Sequence, residues 1–202
     1  MGGIPHPERE FAIVSRICSQ MPFETSQFKA TECYAAFTTI LCWTLQRIRS
    51  REYPLDELYD ELRTSEIRRF CDLQPVAYDD GRLQARDETH GAMLNDLSVF
   101  RTDDGRSFGV LEVMISLRNA VAHPEGLRVY PVNRRGFLIG FRFDCRRPGG
   151  NDLERWEGPR YQLYLTRNGM TQIAQTLGHR YCDAFGRERP TVEQHARHLV
   201  EQ

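Results

Sequence analysis

The segment from Ala30 to Arg49 constrains the fold more than any other part of the chain. Cys33, Tyr34, Phe37, Ile40, Leu41, Leu45 and Ile48 recur at the three- and four-residue spacing of one broad helical face. A helix of this length, rising about 1.5 Å per residue, is a rod of about 30 Å, long enough to cross a small domain. It needs apolar partners along its whole length, so the spacing predicts a central core helix in a mainly helical protein. Ser26 is the expected cap, with Lys29 opening the first turn. The longest charge-free apolar run inside it, Cys33 to Leu45, has 13 residues and is too short to span a bilayer.

Other segments supply the partners. Glu8 to Gln20 has apolar residues at Phe11, Val14, Ile17 and Cys18, and Met21-Pro22 ends it. Pro54 is placed to open a further helical stretch through Leu55, Leu58, Leu62, Ile67 and Phe70. From Cys71 to Gly91 the pattern fades into what reads as a long connection, and Met93 to Phe100 reads as a short helix or turn. Ser107 to Ala122 resumes the helical period, with Ser107 or Asp104 as its cap. Pro124 disfavours helical geometry at His123, so this helix ends there.

After Gly126 the period changes from helical to alternating. Val129 and Val132 lead into Asn133-Arg134-Arg135-Gly136, followed by Phe137, Ile139, Phe141 and Phe143 at every second position, the pattern of a β-hairpin with its Phe side chains facing the core. A third strand is expected from Tyr161 to Arg167, closed by Asn168-Gly169. A long helix follows from Met170 to Phe185, then a short one from Val192 to Val200. The expected fold is therefore mainly α (α+β) in a single domain over residues 1–202. An antiparallel helical core occupies about 8–124, a small antiparallel hairpin or sheet 126–167, and C-terminal helices 169–201.

A net charge of -1 excludes a chain that is basic throughout, but the charge is unevenly spread. Glu52 to Asp104 holds 14 Asp and Glu against 6 Arg, whereas Arg128 to Arg147 holds 6 Arg against one Asp. An anionic partner is expected to meet the second region. Six cysteines without a CxxC pair argue against zinc and against a disulfide scaffold, and suggest a reducing compartment. Cys33, Cys42 and Trp43 read as core residues. The N-terminal MGGIPHPEREF has no apolar signal-peptide core. A cytoplasmic protein with no membrane partner is the expectation.

The chemistry-bearing feature is the hexapeptide Arg118-Asn119-Ala120-Val121-Ala122-His123 at the end of an apolar helix. An Arg, then a polar residue, then a His after four intervening positions near the end of a core helix resembles the signature of the HEPN superfamily. The resemblance covers the motif and the helical arrangement of roughly the first 125 residues, and implies a HEPN-like bundle.

Helical geometry bears on that motif directly. Residues turn by about 100° each, so Arg118 and His123 diverge by about 140°. One copy cannot easily aim both at one phosphate, whereas two helix ends meeting across a two-fold axis can. The resemblance implies such a composite site in a homodimer. The implied reaction is metal-independent RNA cleavage, with no cofactor and no metal site. His123 would act as general acid or base, Arg118 would stabilise charge on the phosphate, and Asn119 would orient His123 or the phosphate. It also implies a toxin or anti-phage defence role, with a cognate antitoxin or regulatory protein as a further partner.

Arg47, Arg128, Arg134 and Arg135 are the expected RNA-binding residues. Arg47 lies one turn beyond Trp43, where it can reach a cleft. An alternative is a non-catalytic HEPN-like module that binds nucleotide, nucleic acid or a partner protein. In that case Arg118 is an internal ion-pair residue and His123 caps its helix.

Overall fold

In the computed structural model the described residues are 9–51, 53–73, 76–79, 96–101, 109–122, 129–146 and 160–186. They form six helices and five strands: α1 (Arg9–Gln20), α2 (Lys29–Ile48), α3 (Asp56–Thr64), α4 (Ile67–Cys71), β1 (Val76–Asp79), β2 (Leu97–Arg101), α5 (Val110–Ala122), β3 (Val129–Arg134), β4 (Phe137–Arg146), β5 (Arg160–Thr166) and α6 (Arg167–Gly186). The protein is thus mainly helical with one sheet. Among the described residues no helix is long and apolar enough to cross a membrane.

The central helix forms where its spacing requires. Cys33, Phe37, Ile40, Leu41, Leu45 and Ile48 of α2 are all buried, and each large aliphatic or aromatic side chain among them contributes about 1.5–3 kcal/mol by leaving water. The buried Thr44 hydroxyl donates to the Ile40 carbonyl at 2.7 Å, so its polarity is satisfied within the helix. Ser26 does not cap α2. Its Oγ accepts the Phe28 N–H at 2.9 Å, a local turn that leaves Phe28 at the cap position without a side-chain bond.

Close contacts fix the directions of three helices. Along α1 and α6, Cys18 meets Ala174 while Glu10 meets Tyr181, so the two run antiparallel. Along α2 and α6, Cys33 meets Thr171 while Ile40 lies beside Gly178, so these run in the same sense. The bundle is therefore not antiparallel throughout. Gly178 sits where the three helices meet, and a Cβ there would collide with Cys18 Sγ.

The stretch 54–71 breaks into two helices because Ser65 and Glu66 are extended. Ser65 accepts the Val110 N–H at 3.0 Å and Glu66 bridges Gly109, which ties the break to the start of α5. Pro54 lies ahead of α3 rather than in its first turn. Helix α5 begins at Val110, and the expected caps Ser107 and Asp104 lie outside the described residues. It is buried on nearly every side, from Val110 through Ala120.

The sheet departs most from the expectation. Its order is β1-β2-β5-β4-β3, with β1 and β2 parallel and the remaining pairs antiparallel. The stretch read as a loose connection contains β1, and the later part of the one read as a short helix or turn lies in β2, so two strands lie within the supposed helical core. Only β2 meets the rest of the sheet, and its partner is remote: it is held by β5, with Leu97 opposite Leu165, while β1 pairs with β2. Local propensity is silent about such a pairing, and the tertiary context decides it.

The β3–β4 hairpin turns at Arg135-Gly136, both with positive φ (50° and 81°), as a two-residue hairpin turn requires. A register shift between Val132 and Asn133 leaves Ile139 unpaired. The alternation therefore does not run through to the tip. Phe141 and Phe143 are buried against α2, with Tyr34 stacked on Phe141 at 4.2 Å and Phe37 edge-on to Phe143 at 6.0 Å. Phe137, expected on the same face, is 74% exposed.

Asn168 and Gly169, expected to separate strand from helix, lie instead in the first turn of α6. Thr166 Oγ1 accepts the Gly169 N–H at 3.2 Å and donates to Asp96 Oδ1 at 2.5 Å, while Asn168 Nδ2 donates to Asp96 Oδ2 at 2.5 Å. A side chain at Gly169 would collide with the Asp96 carbonyl, so the helix can start here only because that residue has none. The final helix expected at 192–200 lies outside the described residues.

Candidate functional site

Arg118 and Asn119 lie in the last turn and a half of α5, a helix gripped by its apolar neighbours on nearly all sides. Asn119 is 8% exposed, and its amide needs a partner there, because an unsatisfied buried polar group costs about 1–3 kcal/mol. Arg118 supplies one. Its Nη1 donates to Asn119 Oδ1 at 2.9 Å, which folds the guanidinium back over its neighbour and limits the directions it can take. Among the described residues no carboxylate pairs with Arg118. His123 and Arg128 lie outside the described residues.

The Arg118 charge is felt across the helix interface. Burial pushes the Cys42 thiol up from its ordinary value, and Arg118 opposes that shift. Cys42 is only partly buried, and it lines an open groove of about 470 Å³ with Glu10, Thr39, Trp43, Gln46 and Arg47. Neither Cys42 nor Trp43, which is 37% exposed, is therefore a core residue as expected. The broad apolar face of α2 is wider than the strip its neighbours cover.

Arg47 reaches this groove, and its charge is engaged there. Its Nε lies 3.2 Å from Glu10 Oε2, which also accepts the Tyr181 hydroxyl at 2.9 Å. Tyr181 is fully buried, and burial, followed by the Glu10 carboxylate, drives its phenol far above the ordinary range. This triad joins α1, α2 and α6. No sequence spacing announces it, since its members come from three separate helices.

Arg134 and Arg135 stand exposed on a different element, the tip of the β3–β4 hairpin. A second hollow, of about 280 Å³ between the start of α3 and the end of α6, is lined by Asp56, Glu57, Glu61 and Asp183 against Arg180 alone. Its acidic walls repel a phosphate chain. Among the described residues no group of three His, Cys, Asp or Glu is placed to hold a metal ion.

No protein-family model matches the chain, and neither a curated protein nor a solved structure matches it significantly.

Proposed function

We propose that the protein is a metal-independent endoribonuclease of HEPN type, acting as a homodimer whose two α5 ends share one active site. The observation that carries this reading is the state of Arg118. It is a guanidinium at the end of a rigid helix, held by Asn119, with no carboxylate among the described residues to neutralise it. A cation kept in that state suits a phosphodiester, whose charge grows as the 2′-oxygen attacks phosphorus.

In this scheme one His123 removes the 2′-hydroxyl proton as the new P–O bond forms. The P–O5′ bond breaks, and the partner's His123 protonates the departing oxygen. The products are a 2′,3′-cyclic phosphate and a 5′-hydroxyl. Arg118 contacts the phosphate. Asn119, too buried to touch substrate, is a positioning residue that sets the direction of Arg118. The biological role we assign is that of a toxin or defence effector in the cytoplasm, restrained by a partner protein.

The burial of Asn119 also favours a second reading. With its Oδ1 occupied by Arg118, the polar pair can serve the stability of α5 alone, in a module that binds RNA or protein without turnover.

The test uses purified wild type and His123→Ala with single-stranded RNA in EDTA, with analysis of product ends. Cleavage by the wild type alone, leaving cyclic phosphate ends, is the expected result. Activity that vanishes in EDTA and returns with a divalent metal would refute the mechanism. Binding without cleavage by either protein would favour the module.

A further inference from the structure

The β3–β4 hairpin tip combines three features that no part of the core accounts for. The first is Phe137, a large ring with 74% of its surface in water. Leaving a Phe side chain in water forgoes about 1.5–3 kcal/mol of burial, so a lone ring at a tip gives the fold nothing. The register shift at Val132/Asn133 turns it away from the helices that bury Phe141 and Phe143.

The second feature is charge. Arg134 lies directly opposite Phe137 across the ladder, and Arg135 follows in the turn. Both are exposed, and among the described residues neither has a carboxylate partner. Arg142, further down β4, behaves differently: it pairs with Asp144 at 3.3 Å and lies over the Tyr130 ring at 4.1 Å. Arg142 is thus engaged within the hairpin, whereas among the described residues the two guanidinium groups at the tip have no carboxylate partner.

The third is backbone conformation. Arg135 has φ of 50°, a region where Asn, Asp or Gly is preferred and where a side chain such as Arg costs about 1–2 kcal/mol. Gly136 beside it, at φ of 81°, keeps the turn to two residues. The strained position holds a guanidinium at the apex of a rigid turn.

We infer that this tip is a second RNA contact, in which an unpaired base stacks on Phe137 while Arg134 and Arg135 bind the flanking phosphates. A ring with one phosphate-binding fork opposite it across the ladder and another in the adjoining turn fits a single strand. In a duplex the bases are stacked inside and the ring has no face to meet. An acidic protein would satisfy the arginines but leave the ring without a purpose. The inference rests on the RNA reading above for its choice of ligand, and does not depend on cleavage.

The experiment measures fluorescence anisotropy of a labelled 2′-O-methyl single-stranded RNA, which can be bound but lacks the hydroxyl that cleavage requires. Wild type, Phe137→Ala, Phe137→Trp and Arg134→Ala/Arg135→Ala are compared. Phe137→Ala is expected to weaken binding about tenfold or more, and Phe137→Trp to retain it. The double arginine variant is expected to lower the slope of log affinity against log salt by about 1.4, or about 0.7 for each lost phosphate contact on a single strand. Unchanged thermal midpoints would exclude misfolding, since all three side chains are exposed.

Absence of wild-type binding, or equal binding by Phe137→Ala, would overturn the inference. So would equal affinity for duplex RNA, or displacement by polyglutamate regardless of the ring. Binding that depends on the tip, in a protein that never cuts RNA, would refute the ribonuclease reading and leave this one standing. Cleavage with no dependence of binding on the tip would do the reverse.

Discussion

Gly178→Ala tests the packing that holds the helices together. In an isolated helix this change stabilises by about 1 kcal/mol, because alanine is the better helix former. Here the new methyl would enter the α1–α2–α6 junction. It would collide with Cys18 Sγ, crowd Val14 Cγ1 at 3.2 Å and touch Ile40 Cγ2 at 3.7 Å. Overpacking of this kind costs about 1–3 kcal/mol. The collision is severe and Cys18 is 1% exposed, with little room to turn, so the upper part of that range applies. Subtracting the propensity gain leaves a net loss of about 1–2 kcal/mol.

The assay is urea unfolding followed by circular dichroism. With a slope of about 2 kcal/mol per molar, the midpoint should fall by about 0.5–1 M. Cys18→Ala in the same background removes the atom that the methyl strikes. The double variant should therefore be at least 1 kcal/mol more stable than the two single changes predict by addition. A raised midpoint for Gly178→Ala, or strict additivity, would refute the close approach of the three helices.

Two further outcomes follow from the same structure. Asn119→Asp places a carboxylate against Arg118 and neutralises it, so RNA cleavage should drop about a hundredfold while the thermal midpoint holds or rises; retained activity would separate Arg118 from the chemistry. Burial pushes the Cys18, Cys71 and Cys182 thiols from 9.0 up to about 11. The unfolded chain ionises first, so the stability these thiols contribute is complete below about pH 9 and disappears as pH rises through about 11, on the order of 2 kcal/mol for each. Urea midpoints should fall steeply across that window, and Cys18→Ala should flatten the fall; a flat profile in the wild type would contradict the burial of the thiols.

The helices were legible because their signal is local. The spacing in α2 and α6 records which side of each helix meets the core, the dense apolar content of α5 suits a helix buried on nearly every side, and the Asn133–Gly136 turn announces its hairpin. Strands β1 and β2 were not legible, because β5, which holds β2, lies far along the chain, and β1 is held in turn by β2. The motif gave Arg118 and Asn119 by position. Their mutual bond was hidden, since adjacent helical residues point about 100° apart and meet only when the guanidinium folds back. Trp43 and Cys42 were misplaced for a related reason. Hydrophobic spacing shows that a face is apolar but not how much of it a neighbour covers.

The antiparallel contact between α1 and α6 has a consequence during synthesis. Cys18 meets Ala174 across 156 residues of chain. At about 5–20 residues per second, roughly 8–30 s separate the emergence of the first helix from that of its partner. Over that interval Val14 and Cys18, and with them the α6-facing side of α2, lack the α6 surface that covers them. A nascent or truncated chain lacking α6 is therefore a sticky fragment, a client for chaperones or proteases rather than a smaller working protein.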